Sequence, residues 1–234
     1  MTVLPNFALL ALVLGLSACS LNNDIEIDDR QAFAQSAQLR YQPHGHEENG
    51  NPFGFEVGFD RAEGDDEPNS PLGGVEFDGT TFPGGVTDLE WEQTSYQAGL
   101  VFGPRRSSPN YDLTFSVGVR NTDLELTLDG LEGNVEQTSL YGSLDYGYWF
   151  DRNFGMFVRG VISWSEPLEQ FGFLDEDEEE FFQRLLELGV SARAGDVVAL
   201  RAGWRTWGLN VEQRGESDVE LLSAGPFIGL VVGF

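Results

Sequence analysis

Two histidines, the only two in the chain, lie two residues apart near the N-terminus. His44 and His46 are followed by Glu47 and Glu48. In an extended strand, residues i and i+2 face the same side, so both imidazoles could reach one metal ion. A polar turn between two strands accounts for the same residues without a metal. We therefore expect no metal site and no cofactor at this position.

A run of six carboxylates at residues 175–180 is a second candidate for metal chemistry. Carboxylate oxygens are ligands for Ca²⁺ and Mg²⁺, but the run lacks the spaced ligands and the glycine of an EF-hand loop. We interpret it as a solvated acidic loop.

Motifs for catalysis are absent from the sequence. The chain contains no Gly-x-Ser-x-Gly elbow, no phosphate-binding loop of the Walker type and no GxGxxG fingerprint. A hydrolytic site needs a nucleophile, a base and a group that orients the base, and no such set stands out. We expect no catalytic residue and no enzymatic activity.

The charge of the chain excludes several classes of partner. The 234 residues include 39 acidic and 13 basic ones, for a net charge of -26, and every basic residue is arginine. A nucleic-acid-binding protein needs a basic face, so we expect no nucleic-acid partner. One cysteine excludes an intramolecular disulfide bond.

That cysteine follows an apolar segment at the N-terminus. Residues 7–16 are apolar but too few to span a bilayer as a helix, and Leu16-Ser17-Ala18-Cys19 follows. The segment resembles the lipobox of bacterial lipoproteins. The resemblance implies a signal peptide at 1–18, a lipid on Cys19 and a polar tether over 19–34.

From about residue 35 onward, apolar and polar residues alternate with a period of two, which predicts strands over most of the chain. Nine runs show this pattern, and they lie near residues 35–42, 53–60, 95–102, 113–120, 139–150, 154–163, 186–193, 198–205 and 222–234. Short connections, at 103–109, 151–153 and 194–196, alternate with longer acidic ones, at 62–87, 165–181 and, more briefly, 208–218. This order is typical of an up-and-down antiparallel barrel.

An antiparallel barrel with both termini on one side needs an even number of strands. We therefore predict eight, with strand one at 53–60 and with residues 35–42 as an extra strand or part of the tether. The alternative is ten, with a short strand added near Val75-Glu76-Phe77.

The polar face of the strands is rich in glycine and serine and carries nearly balanced charges. Small residues and matched ions suit a narrow barrel interior, because an unpaired buried charge costs several kcal/mol. We predict an ion-paired lumen formed by Arg40, Arg120, Arg159, Arg193, Arg201, Arg205, Glu56, Asp60, Asp145 and Glu187.

The alternating residues 226–234 end in Phe234, with aromatic residues clustered near the turn at 151–153. These features resemble small bacterial outer-membrane barrels, which carry a C-terminal phenylalanine signal, aromatic girdles, short periplasmic turns and long external loops. The resemblance implies an all-β transmembrane barrel over 35–234 in the outer membrane of a Gram-negative bacterium. It also implies contacts with membrane lipid and, through Phe234, with the barrel assembly machinery.

On this interpretation the protein has a structural or interaction role at the cell envelope, with its acidic loops contacting an envelope protein or a surface partner. Two alternatives remain open. One is a periplasmic, lipid-anchored, lipocalin-like barrel whose apolar face lines a ligand cavity. The other is an outer-membrane lipid hydrolase, a class that places Ser and His on lipid-facing strands.

Overall fold

The computed structural model describes residues 25–29, 32–41, 53–66, 75–77, 80–82, 88–103, 110–165, 180–195, 197–212 and 219–233. Several predicted features lie outside these residues: the signal segment, Cys19, His44, His46, residues 175–179 of the acidic run and Phe234. Within the described residues, no helix has the length and hydropathy needed to cross a bilayer.

The described chain consists of strands, as the alternation predicts. They are β1 (Ile25–Asp29), β2 (Phe33–Tyr41), β3 (Phe53–Asp66), β4 (Val75–Phe77), β5 (Thr80–Phe82), β6 (Leu89–Phe102), β7 (Tyr111–Leu128), β8 (Leu131–Trp149), β9 (Phe154–Trp164), β10 (Glu180–Ala194), β11 (Val198–Glu212) and β12 (Val219–Gly233).

Nine of these strands form a closed barrel. Neighbours pair antiparallel in the order β2-β3-β6-β7-β8-β9-β10-β11-β12, and β12 then pairs with β2 to close the sheet. This last pairing is parallel, with Phe227 opposite Ala34 and Gly233 opposite Arg40. An odd number of alternating strands makes the first and the last run in the same direction, so only a parallel pair can close the ring.

The predictions of eight strands, or alternatively ten, are therefore wrong. The run that we expected to be an extra strand or tether is β2, and it forms part of the barrel wall. The strand expected near Val75 exists as β4, but it pairs only with β5 in a separate two-stranded sheet. The error came from assuming antiparallel closure, which the N-terminal strand does not obey.

The predicted tether also contains regular structure. Ile25–Asp29 forms β1, which pairs in parallel with the first part of β12, from Val219 to Ser223. Strands β1 and β2 thus follow one another along the same edge of β12. The chain enters the barrel at the end where β12 begins.

The barrel has two distinguishable ends. The turn end carries the connection 150–153, the end of β10, the start of β11 and the last residues of β12. The loop end carries the connection 129–130, the end of β9, the start of β10, the end of β11 and the starts of β12 and β1. The short connections predicted at 103–109, 151–153 and 194–196 join strands whose ends lie at the turn end. The loop end also has a tight turn, in which Asp129 and Gly130 have φ angles of 50° and 82°. Positive φ at both central residues is typical of a hairpin that fits strand twist.

The polarity of the wall reverses part-way along the strands, as β7 shows most clearly. Near the turn end its outward residues are apolar and its inward residues polar; near the loop end the arrangement is the opposite. The outward residues are Tyr111, Leu113, Phe115, Val117 and Val119, then Asn121, Asp123, Glu125 and Thr127; the inward ones are Asp112, Thr114, Ser116, Gly118, Arg120 and Thr122, then Leu124, Leu126 and Leu128.

We call the part near the turn end the belt zone and the part near the loop end the cap zone. On β6 the change falls between Trp91, which is buried inside, and Tyr96, which is 59% exposed outside. On β11 it falls between Trp204, which is exposed outside, and Trp207, which is buried inside. The molecule is thus one continuous barrel with two opposite polarity patterns stacked along its axis.

Paired glycines in the belt zone lie where a neighbouring backbone approaches closely. Gly99 on β6 lies opposite Gly118 on β7. A Cβ atom added to Gly118 would lie 2.1 Å from the carbonyl oxygen of Ala98 and 2.8 Å from the Tyr141 ring. Neither position has room for a side chain, because the neighbouring backbone occupies it.

We expect Gly118→Ala to lower the free energy of unfolding by about 1–3 kcal/mol, since overpacking forces the backbone to shift. Gly142→Ala is the matched control, because its added methyl group meets no atom within 4 Å. Denaturant titration of the folded protein measures both changes. Equal effects of the two substitutions would contradict the close approach at Gly118.

Candidate functional site: the ion-paired lumen

The ten side chains predicted to pair in a lumen all lie inside the belt zone. They come from β2, β3, β7, β8, β9, β10 and β11, so the closed ring of strands brings together residues as far apart in sequence as Arg40 and Arg205. Most are almost completely buried; Arg193 and Arg201, near the turn end, are partly accessible.

Five of them form a deep cluster. Arg205 binds two carboxylates: its Nη2 lies 2.9 Å from Asp60 Oδ1, and it also pairs with Glu187. Arg120 Nη1 contacts Asp60 Oδ2 at 3.2 Å, and Arg159 Nη1 contacts Glu187 Oε2 at 3.5 Å. Three guanidinium groups therefore share two carboxylates in this cluster.

Four more form a mouth cluster, closer to the turn end. Arg201 donates from Nη1 and Nη2 to the two oxygens of Asp145, at 2.9 and 3.1 Å. Arg40 Nη1 lies 2.9 Å from Asp145 Oδ2, and Arg40 Nε lies 3.0 Å from Glu56 Oε2. A bidentate guanidinium–carboxylate pair is among the strongest hydrogen-bonded interactions in proteins.

Neutral side chains connect the two clusters. Tyr141 donates its hydroxyl proton to Glu56 Oε1 at 2.9 Å, and Gln97 Nε2 donates to the same oxygen at 3.2 Å. The side-chain amide oxygen of Gln97, Oε1, accepts a hydrogen bond from Arg120 Nη1 at 3.0 Å. The deep and mouth clusters are consequently one hydrogen-bonded network and not a set of separate ion pairs.

One inward carboxylate of the lumen was missed in the sequence. Asp112 pairs with Arg193 and accepts from Trp149 Nε1 at 2.6 Å, while the Arg193 guanidinium stacks 3.5 Å above the Trp149 ring. The signal was present, because Asp112 shares the inward phase of β7 with Thr114. It falls at the end of the strand, just before the alternating run at 113–120 that the sequence predicts.

The stability of this network depends on each buried ion having a partner of opposite charge. Desolvating ions is expensive, and only good geometry with further hydrogen bonds offsets the cost. Among the described residues of the belt zone, six inward arginines face five inward carboxylates. Removing a single carboxylate therefore leaves arginines buried without a counter-charge.

The inside of the cap zone is apolar and closes the lumen toward the loop end. The Trp91 and Trp207 rings stack with their centroids 5.3 Å apart. Fully buried aliphatic side chains such as Leu126 and Val211 belong to the same cluster. Asp29 of β1 reaches this core and accepts from Trp91 Nε1 at 3.2 Å. The buried apolar cluster to which the two tryptophans belong draws side chains from β1 and all nine barrel strands, so it is the main hydrophobic core among the described residues.

At the turn end the lumen opens into a cavity of about 100 Å³. Its lining combines charged side chains with aromatic and aliphatic ones, among them Arg40, Asp112, Asp145, Arg193, Arg201, Trp149, Phe157, Val198 and Val231. We call this cavity the vestibule.

The outer face of the cap zone is acidic. Glu63, Glu92 and Glu125 lie directly opposite one another across β3, β6 and β7, and Asp123 lies opposite Glu136. Partial burial and the neighbouring Glu136 carboxylate raise the pKa of Asp123. Like charges directly opposite one another are unfavourable, and here only Arg61 bridges two members of the row, Glu63 and Glu92, among the contacts of the described residues.

The geometry defines a closed nine-stranded barrel with an ionic belt-zone interior and an apolar cap-zone core. In the part of the chain that the structure describes, no group of three or more metal-ligating side chains converges. No protein-family model, no curated protein and no solved structure matches this chain.

Proposed function

We propose that this chain is an outer-membrane β-barrel lipoprotein with a closed, ion-paired lumen and a structural or interaction role at the cell envelope. The observation that carries the proposal is the outer surface of the belt zone. Large apolar side chains cover it all the way around the barrel, each more than a third exposed, including Phe55, Phe115, Leu144, Met156, Leu188, Leu200 and Ile228.

A continuous apolar surface of this extent is far larger than the few hundred Å² that soluble monomers expose. On β7 it extends from Tyr111 to Val119, about 27 Å along the strand at 3.4 Å per residue. With the tilt of membrane barrels this is about 20 Å across the bilayer, close to the apolar band of an outer membrane.

Aromatic residues mark both edges of this surface. Tyr148, Phe150 and Phe154 lie at the turn end, and their exposed fractions range from 38% to 61%. Tyr96 and Phe182 lie at the boundary with the cap zone and are also exposed. Aromatic girdles at the two lipid–water interfaces have this arrangement.

The topology also supports an orientation. Short turns and the end of β12 lie together, as at the periplasmic side of outer-membrane barrels, so the cap zone would project outward. Because closure is parallel, the chain enters at the cap end, and a lipid on Cys19 would be held on the same side as the acidic face. An envelope or surface partner would then meet the row of carboxylates.

The two alternatives lack this support. A lipocalin-like barrel places its apolar face inside along its whole length, whereas here that holds only for the cap zone. A lipid hydrolase needs a nucleophile on the lipid-facing surface, but the strand serines Ser95, Ser116, Ser139, Ser143, Ser163 and Ser191 are buried in the lumen. We therefore propose no enzymatic activity.

Expression of residues 20–234, without the signal segment and the cysteine, tests the proposal. We expect a chain that folds only in detergent or lipid and migrates differently on gels before and after heating. A chain that folds as a monomer in water, without detergent, would overturn the membrane assignment and favour the lipocalin-like alternative.

A further inference from the structure

The barrel closes along a seam between β12 and the two N-terminal strands. The seam is parallel, whereas all other junctions between the described barrel strands are antiparallel. It is also interrupted, because β1 pairs with Val219–Ser223 and β2 with Phe227–Gly233, and Pro226 lies between these stretches. Proline has no backbone N–H to donate, and parallel pairs are slightly less stable per residue than antiparallel ones. We therefore expect the wall to be weakest along this seam.

The other barrel strands can close a ring without β1 and β2. The strands β3 and β6 to β12 follow one another in antiparallel pairs, and there are eight of them. In an even set of alternating strands the first and the last run in opposite directions, so β3 and β12 could pair antiparallel. Eight strands is also the size at which inward side chains just fill a barrel.

The inward charges are balanced without β2. That strand supplies one of the six belt-zone arginines, Arg40. The other five arginines and all five inward carboxylates described above lie on β3 and on β7 to β11. Removing β2 from the wall would therefore leave equal numbers of inward positive and negative charges among the described residues.

The carboxylates that bind Arg40 have other donors. Asp145 accepts two hydrogen bonds from Arg201, at 2.9 and 3.1 Å. Glu56 accepts one from the Tyr141 hydroxyl, at 2.9 Å. A buried carboxylate is costly only when nothing compensates its charge, so both could remain in the lumen after Arg40 has left.

The N-terminal strands also contribute little apolar packing. Their members of the buried apolar cluster are Ile27, Ala32 and Ala34, while the tryptophans, the phenylalanines and all the leucines of the cluster lie on other strands. The apolar area that a side chain buries sets its hydrophobic stabilisation, and an alanine buries little. Release of these strands would leave most of the core in place.

We propose that β1 and β2 form a detachable closing segment, which gives the barrel two states. In the inserted state the wall has nine strands; in the released state β12 pairs with β3 and the wall has eight. Because β2 begins near the cap zone whereas β3 begins at the turn end, release moves the N-terminal segment from one end of the barrel to the other. The inference goes beyond the proposed function and does not depend on the membrane assignment.

Hydrogen–deuterium exchange of the full chain in a zwitterionic detergent tests the proposal, and a chain that folds in water can be measured in the same way without detergent. We expect the amides of β1 and β2 to exchange together, at least about tenfold faster than those of Leu140–Trp149, because a segment that opens locally loses protection before the rest of the fold. Leu140–Trp149 is the internal reference, since it lies in the belt zone between two antiparallel neighbours. Equal protection of the two segments would overturn the proposal.

Two disulfide locks, both with Cys19 replaced by serine, locate the opening. Ala37→Cys with Leu230→Cys joins β2 to β12, and Leu200→Cys with Leu230→Cys joins β11 to the same position of β12. All three side chains are exposed on the outer face. The first lock should slow exchange of β2 to the rate of the reference segment, and the second should leave it unchanged. Fast exchange of β2 under the first lock, or slow exchange under the second, would contradict opening at the seam.

Arg40→Gln tests whether the arginine holds the segment in place. It should speed exchange of β2 several-fold and leave the reference segment unchanged, because the lumen carboxylates keep their other donors. Arg152→Gln, in the exposed connection 150–153, removes the same charge and should change neither rate. Equal acceleration of both segments by Arg40→Gln would mean that Arg40 stabilises the whole barrel, which contradicts separate release of β1 and β2.

Discussion

Leu144→Arg should lower the free energy of unfolding in lipid by about 2–4 kcal/mol, the cost of an arginine on the lipid face near the middle of a membrane barrel. Leu144 points outward in the middle of the belt zone and is 43% exposed. Its neighbours across the strands are Phe115 and Gly160, so no carboxylate is at hand on either adjacent strand. Equilibrium unfolding of the barrel inserted in lipid vesicles measures the change.

Glu136→Arg is the control on the same face of the same strand, eight residues toward the cap. It lies opposite Asp123, so the substitution replaces a like-charge pair by an opposite-charge pair. We expect a change within about 0.5 kcal/mol, or a small gain in stability. If Leu144→Arg were equally harmless, the outer surface of the belt zone would face water and not lipid.

Asp60→Asn should be the most damaging change in the lumen, because Asp60 contacts both Arg120 and Arg205. The substitution keeps the shape of the side chain and removes its charge, which leaves the three arginines of the deep cluster with Glu187 alone. Breaking a buried ion pair in this way costs about 3–5 kcal/mol. The same unfolding measurement in vesicles applies.

Asp65→Asn, on the exposed face of the same strand, removes the same charge where water solvates it. We expect its effect to stay within about 0.5 kcal/mol. Similar stability of the two variants would mean that water, and not the carboxylate, neutralises the lumen arginines.

The strands could be predicted from the sequence, but their number could not. All nine alternating runs correspond to barrel strands, including the run at 35–42, which is β2. The even count that antiparallel closure requires leaves this run outside the eight predicted strands. Parallel closure cannot be recognised from the alternation within a strand, because the pairing direction changes the hydrogen bonds and not the side-chain period.

The reversal of polarity was visible in the sequence as a change of phase, and it was missed. In β7 the apolar residues fall on odd positions up to Val119 and on even positions from Leu124 onward, without a turn between them. A constant alternation ends at this change of phase, so the sequence predicts no strand over 121–138. Asp129-Gly130, a strong hairpin signal between Leu128 and Leu131, marks the same missed extension.

The inward direction of the charged residues could be predicted because alternation fixes which side chains share a face. Their pairing could not, because it depends on the register of strands far apart in the chain. Arg205 and Asp60, which meet in the deep cluster, come from opposite parts of the sequence. The vestibule likewise arises from the closed ring and has no motif of its own.

The most direct test of the account is the accessibility of single cysteines along the outer face of β7 in lipid nanodiscs, with Cys19 replaced by serine. We expect cysteines at Leu113, Phe115 and Val119 to resist a membrane-impermeant maleimide, and those at Asp123, Glu125 and Thr127 to react rapidly. The change in reactivity should fall between Val119 and Asp123. Uniform reactivity along the strand would contradict a lipid-facing belt zone below an exposed cap zone.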